Sequence, residues 1–98
     1  MDFGLPNSTL YVQNLNEKVQ LPVLREQLRQ KFQQYGEVLD VVAKGRLSMK
    51  GQAFVLFRDM QGAQKALMAL QGERLYGKSM VVKYAKYKSD VVSKADGT

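Results

Sequence analysis

The chain has 98 residues, 45% of them apolar, which suffices for one small domain with a single modest core. It holds no cysteine and no histidine. Disulfides and thiolate metal sites are thereby excluded, and the commonest general base and zinc ligand are missing. Fifteen Lys and Arg against nine Asp and Glu give a net charge of +6, a balance suited to a polyanionic partner. No apolar run approaches the ~20 residues of a membrane span. The N-terminus lacks the basic-then-apolar shape of a signal peptide, and a cysteine-free chain fits a reducing compartment.

Residues 1–8 are a polar lead-in containing Gly4, Pro6 and Asn7, expected to be loose. The first strand is predicted from Thr9 to Asn14, with Leu10 and Val12 pointing one way and Tyr11 and Gln13 the other. A helix follows from about Pro22 to Gln34. Proline suits a first helical turn, and Leu21, Leu24, Leu28, Phe32 and Tyr35 recur along one face. Gly36 is expected to end it, as glycine does just past a helix C-terminus. Val38 to Ala43, rich in β-branched residues, reads as the second strand.

Lys44 to Lys50 is a basic connection to the third strand, where Ala53, Val55 and Phe57 share one face and Gln52 and Phe54 the other. A second helix is predicted from about Met60 to Leu70, with Ala63, Ala66, Leu67 and Leu70 as its buried stripe. Gly72 and Gly77 mark a turn or short hairpin before the fourth strand, Met80 to Ala85. There Met80, Val82 and Tyr84 share the parity that faces the helices. Ser89 or Asp90 is suited to cap a short terminal helix over Val91 to Ala95.

The order β-α-β-β-α-β is the ferredoxin-like, split-βαβ pattern of the α+β class. Right-handed crossovers place both helices on one face of a four-stranded antiparallel sheet, with strands 1 and 3 central. The other face stays open, and on it Tyr11 and Phe54 become neighbours. Aromatic rings so placed form a platform for unpaired bases. The same rings would also serve a second core, a dimer contact, or a lid made by the C-terminal segment through Val91 and Val92.

The segments Leu10-Tyr11-Val12-Gln13-Asn14-Leu15 and Lys50-Gly51-Gln52-Ala53-Phe54-Val55-Leu56-Phe57, about forty residues apart, resemble the two ribonucleoprotein motifs of the RNA recognition motif (RRM). Gln52 stands where most members carry Phe or Tyr. With Asn14-Leu15-Asn16-Glu17-Lys18, Tyr84-Ala85-Lys86 and Ser89-Asp90-Val91-Val92-Ser93-Lys94, the Gly-Gln-Ala-Phe-Val core resembles the first RRM of the spliceosomal U1 snRNP A and U2 snRNP B″ proteins. The resemblance covers nearly the whole chain, as one RRM over residues 1–98 with 89–98 as C-terminal helix and tail.

Around the rings, the side chains of Gln13, Asn14, Gln52 and Lys83 are placed to read base edges, which stacking alone cannot do. Asn14 at a strand end also suits a purely local role on turn backbone groups. The connection Lys44-Gly45-Arg46-Leu47-Ser48-Met49-Lys50 interleaves apolar residues with cations. By itself it reads equally as a solvated hairpin. The resemblance implies that it threads the RNA loop, with Leu47 as a plug and Arg46 and Lys50 on phosphates or the closing base pair. The relatives carry a further basic residue where Ser48 stands, and two lysines where this chain has Gln20 and Leu21. Lys18, Lys78, Lys86 and Lys88 flank the sheet as electrostatic residues or plain surface lysines. Glu17 belongs to the first matching motif, and Ser89 and Asp90 to a junction that reads bases in the family.

The implied function is sequence-specific binding of a spliceosomal small nuclear RNA hairpin loop in the nucleus, as a snRNP component in pre-mRNA splicing. Val41-Val42-Ala43, Tyr76-Gly77-Lys78 and Val92-Ser93-Lys94 look more like the B″ type. The resemblance then implies U2 stem-loop IV as ligand and the leucine-rich-repeat protein U2 snRNP A′ as partner, on first-helix positions Arg25, Gln27, Arg29 and Gln33, expected to be exposed. A dual U1 and U2 binder and a protein-interaction module of the same shape are the alternatives. Catalysis is not expected, since no acid–base apparatus is visible, and no cofactor is implied.

Overall fold

The computed structural model describes residues 4–86, apart from the side chain of Ser48. Its first strand, β1 (Thr9–Gln13), lies between two antiparallel partners. The remaining elements follow as α1 (Leu21–Phe32), β2 (Val38–Val42), β3 (Ala53–Phe57), α2 (Met60–Leu70), the short β4 (Arg74–Leu75) and β5 (Lys78–Ser79), and β6 (Val81–Tyr84). The main sheet has the order β2-β3-β1-β6, so the expected four-stranded architecture with β1 and β3 central is present. The expected turn after α2 is a two-stranded hairpin of β4 and β5. No helix among the described residues is long and apolar enough to cross a membrane. The expected helix over Val91 to Ala95, its caps Ser89 and Asp90, Lys88 and the proposed lid lie outside the described residues.

Alternation does the sorting between the two faces. Leu10, Val12, Ala53, Val55 and Val82 are fully buried against the helices, while Tyr11, Gln13 and Phe54 between them stay half-exposed. Tyr84 packs against the same core, as its parity requires. On β2, Val38 and Val41 are both buried although three residues apart. Leu39 is an inserted bulge residue that shifts the register between Val38 and Asp40, which resets the parity.

The first helix packs Leu24, Leu28 and Phe32 into the core, with the Phe32 ring tilted on Phe57 at 6.3 Å between centroids. It ends earlier than the pattern suggests, at Phe32 with Gln33 as its cap. Gly36 is not in the left-handed conformation expected of a terminating glycine. Its role is close approach: a Cβ built there would stand 2.6 Å from the Cα of Gly62. The second helix has the predicted limits. Asp59 caps it, its carboxylate accepting from the Gly62 N–H at 2.9 Å.

Side-chain amides close what the strands leave open. Gln71 accepts from the Val82 N–H at 2.9 Å and donates back to the Val82 carbonyl, standing in for a further strand on the sheet edge. Asn7 donates to the Ala85 carbonyl at 3.2 Å and accepts from the Thr9 N–H, and the Ser8 carbonyl accepts from Phe57. The inner end of the lead-in is therefore tied to the sheet.

The Gly36–Gly62 contact leaves no room for a methyl group. Gly36→Ala is expected to lower stability by roughly 1–3 kcal/mol through overpacking, read as a lower urea midpoint at unchanged m-value.

Candidate nucleic-acid interface

The register of β1 against its neighbours builds one continuous row across the open face. Tyr11 pairs with Phe54 on one side and with Lys83 on the other, and Phe54 pairs in turn with Val42. The two rings stack, with centroids 5.1 Å apart and planes 27° from parallel. Both are half-exposed. A half-exposed aromatic pair on the face of a sheet offers apolar ring surface on which a base can stack.

Polar groups are fixed around that surface. The Tyr11 hydroxyl donates to Gln52 Oε1 at 2.5 Å and accepts from Gln13 Nε2 at 3.4 Å. Gln52 therefore supplies its oxygen to the tyrosine, and this bond holds the amide at the margin of the ring pair. Lys83 projects from β6 beside Tyr11. Next to it an open groove of about 580 Å³ runs between residues 4–7 and β6. Leu5, Tyr11, Gln13, Lys83 and Lys86 are among its walls, and none of the described residues that line it is acidic.

Asn14 follows β1 with a left-handed backbone (φ 63°), and its Nδ2 donates to the Ser79 carbonyl at 2.8 Å. The local role open in the sequence is present in the fold. Asn16 has no role in the sequence reading, yet it is the better-connected amide. Its Oδ1 accepts from the Lys18 N–H at 2.8 Å and its Nδ2 donates to the Tyr76 carbonyl at 3.0 Å. An Asn two residues before a turn position is the signal that could have found it. Glu17, Lys18 and Lys78 are exposed at this end of the molecule.

The basic connection folds into a short 3₁₀ turn over Leu47–Met49, closed by the Met49 N–H on the Arg46 carbonyl at 2.9 Å. This turn separates its two apolar residues. Leu47 is 86% exposed, whereas Met49 is half-buried and lines a small cavity with Val19, Leu21 and Leu24. Lys44, Arg46 and Lys50 are all exposed around Leu47. The exposed Leu47 thus has exposed cations on both sides along the chain. Ser48, whose backbone lies in this turn, contributes no described side chain.

The first-helix positions are less open than expected. Arg25, Gln27 and Arg29 are half-buried, and only Gln33 is exposed. The two guanidinium groups are drawn onto β2, Arg25 donating to the Ala43 carbonyl at 3.1 Å and Arg29 to Val38 at 3.3 Å. Arg25 thereby holds the root of the basic loop.

Residues 10–81 match the model of the RNA recognition motif. The chain belongs to the RNA recognition motif family. Its RRM is similar to fruit-fly U1 small nuclear ribonucleoprotein A, 46% identical over 94 residues that make up 96% of this chain and 44% of that protein. It is equally similar to U2 small nuclear ribonucleoprotein B″ of Dictyostelium discoideum, 46% identical over 95% of this chain and 39% of the relative. The level identities separate neither type from the other, and the chain spans less than half the length of these relatives. Among solved structures, the second RRM domain of the yeast poly(U)-binding protein superimposes with a TM-score of 0.65 at 28% identity, over 79% of this chain and 92% of that one. The chain is thus an RNA-binding domain of the RRM type, homologous to those of the U1 A and U2 B″ proteins, and RRM domains are binding modules without catalysis.

The left-handed backbone at Asn14 separates its two contributions. Asn14→Gly keeps the conformation and loses the bond to Ser79, while Asn14→Ala loses both. The alanine variant is expected to be the less stable by roughly 1 kcal/mol, measured by chemical denaturation of the two side by side.

Proposed function

We propose that this RRM binds the single-stranded loop of a spliceosomal small nuclear RNA hairpin, U2 stem-loop IV or U1 stem-loop II, as a nuclear snRNP component in pre-mRNA splicing. The observation that carries this reading is the solvent-facing Tyr11–Phe54 stack at the centre of the sheet. Two successive bases lie on these rings. Gln13, Asn14, Gln52 and Lys83 read their edges, and Lys86, with Ser89 and Asp90 by resemblance alone, continues the track. Leu47 enters the RNA loop while Lys44, Arg46 and Lys50 hold phosphates at the stem, with Ser48 and Met49 shaping the turn. Glu17, Lys18 and Lys78 border this same end, Glu17 lining a cavity with Lys44 and Lys50.

The closeness to both relatives supports this ligand class. For the B″ type, the first helix and β2 make the surface for the leucine-rich-repeat partner U2 snRNP A′. These two elements expose Val23 and Leu39, 46% and 54% accessible, beside an open groove lined by Pro22, Arg25, Glu26, Arg29, Asp40 and Val41. Apolar residues inside a polar rim suit a protein partner. Gln27 and Gln33 extend that rim.

Phe54→Ala and Tyr11→Ala are each expected to weaken hairpin binding by on the order of 1–3 kcal/mol with the fold intact; unchanged affinity would refute the platform. Arg46→Ala should lower affinity and flatten its dependence on salt by roughly 0.7 in the log–log slope. An unchanged slope removes Arg46 from the phosphate contacts. The deciding titration sets both hairpins against the domain at one salt concentration. Tight binding to the U1 hairpin alone makes it A-type, and tight binding to both makes it a dual binder. Weak binding rescued on U2 stem-loop IV by A′ makes it B″-type. Absence of binding and of rescue would favour a protein-interaction module.

A further inference from the structure

We infer that Asn16 is a positioning residue for RNA binding: it ties the loop after β1 to the β4–β5 turn, so that Lys18 and Lys78 act together on one stretch of phosphate backbone. The inference rests on the RNA-binding reading above and adds to it a residue that touches no RNA.

The geometry of the amide is specific. Its oxygen fixes the loop at Lys18, and its nitrogen fixes a carbonyl sixty residues further along the chain, at Tyr76. That carbonyl belongs to a strained turn. Leu75 pairs with Lys78, and the two residues between them, Tyr76 and Gly77, both have positive φ, 51° and 84°. This is the two-residue hairpin turn whose first position ordinarily takes Asn, Asp or Gly. A bulky tyrosine holds such a conformation only where its surroundings enforce it. Asn16 supplies a side-chain bond at that residue.

The turn also sits where it matters. Asn14, the residue after Gln13, bonds the Ser79 carbonyl. Lys78 immediately precedes Ser79, so the same bond orders the backbone beside it. Lys18 follows Asn16 by two residues and is exposed at the same end. Two lysines on separate flexible segments would each lose freedom when they meet an RNA. Held by one amide, their backbones are already ordered before contact, and less entropy is lost on binding.

Asn16→Ser tests this. A serine hydroxyl can still accept from the Lys18 N–H, but it is too short to reach Tyr76. The variant, Lys78→Ala, the double variant and Tyr11→Ala are titrated with labelled U1 stem-loop II and U2 stem-loop IV hairpins over a series of salt concentrations. Thermal melts of each confirm the fold. Asn16→Ser is expected to weaken binding several-fold with the salt slope unchanged, because both lysines still reach phosphate and only the cost of ordering them rises. In the Lys78→Ala background it should have little further effect. Additive losses, a lowered slope or an unchanged affinity would overturn the role given to Asn16. If Tyr11→Ala still weakens binding in that event, the stacking reading survives and only the Asn16 inference fails. Absence of hairpin binding, or indifference to Tyr11→Ala, strikes the RNA reading itself.

Discussion

The pairing of β1 with β3 is the constraint on which the rest of this domain depends. Because side chains alternate along a strand, the register that sets Tyr11 opposite Phe54 also sets Leu10 opposite Val55 and Val12 opposite Ala53. One choice therefore buries four apolar residues and exposes two stacked rings. A slip of one residue would bury the rings and turn the core outward. Core stability and ligand platform are consequently the same structural decision, which leaves little freedom to lose one and keep the other.

Around that pair the chain relies on amides rather than on ion pairs. Asn7, Asn14, Asn16 and Gln71 each bond backbone groups that no strand or helix satisfies. Such bonds are modest in net stability but costly to leave unmade where the backbone is buried. Among the described residues the ion pairs are fewer. Lys31–Glu73 joins α1 to the approach of β4, and Arg58–Glu37 is widely exposed, so salt has little to weaken in the fold itself. This division suits a domain whose ligand is a polyanion: salt acts on recognition while the scaffold stays constant.

Lys44, Arg46 and Lys50 flank an exposed leucine along the chain, and Lys83 and Lys86 line a groove with no acid among its described walls. Arg25 and Arg29 differ in kind, since their guanidinium groups are spent on β2 carbonyls. Arg25 also connects the helix to the root of the basic loop at Ala43.

What the sequence determined by itself was everything periodicity can carry. The two-residue alternation of β1, β3 and β6 identified the faces, the ring pair and the packing of Tyr84 against the core, and the three- and four-residue recurrence identified both helices. The motif residues were enough to point to the RRM family. The tertiary structure alone decided the parts where distant segments meet. Gly36 reads as a helix terminator, but its neighbour in space is Gly62. Arg25 and Arg29 read as exposed helix positions, but β2 carbonyls lie within their reach. Leu39 interrupts the alternation of β2, and Asn16 finds its partner sixty residues away. Local patterns fix which way a side chain points; what it meets there depends on how the chain returns.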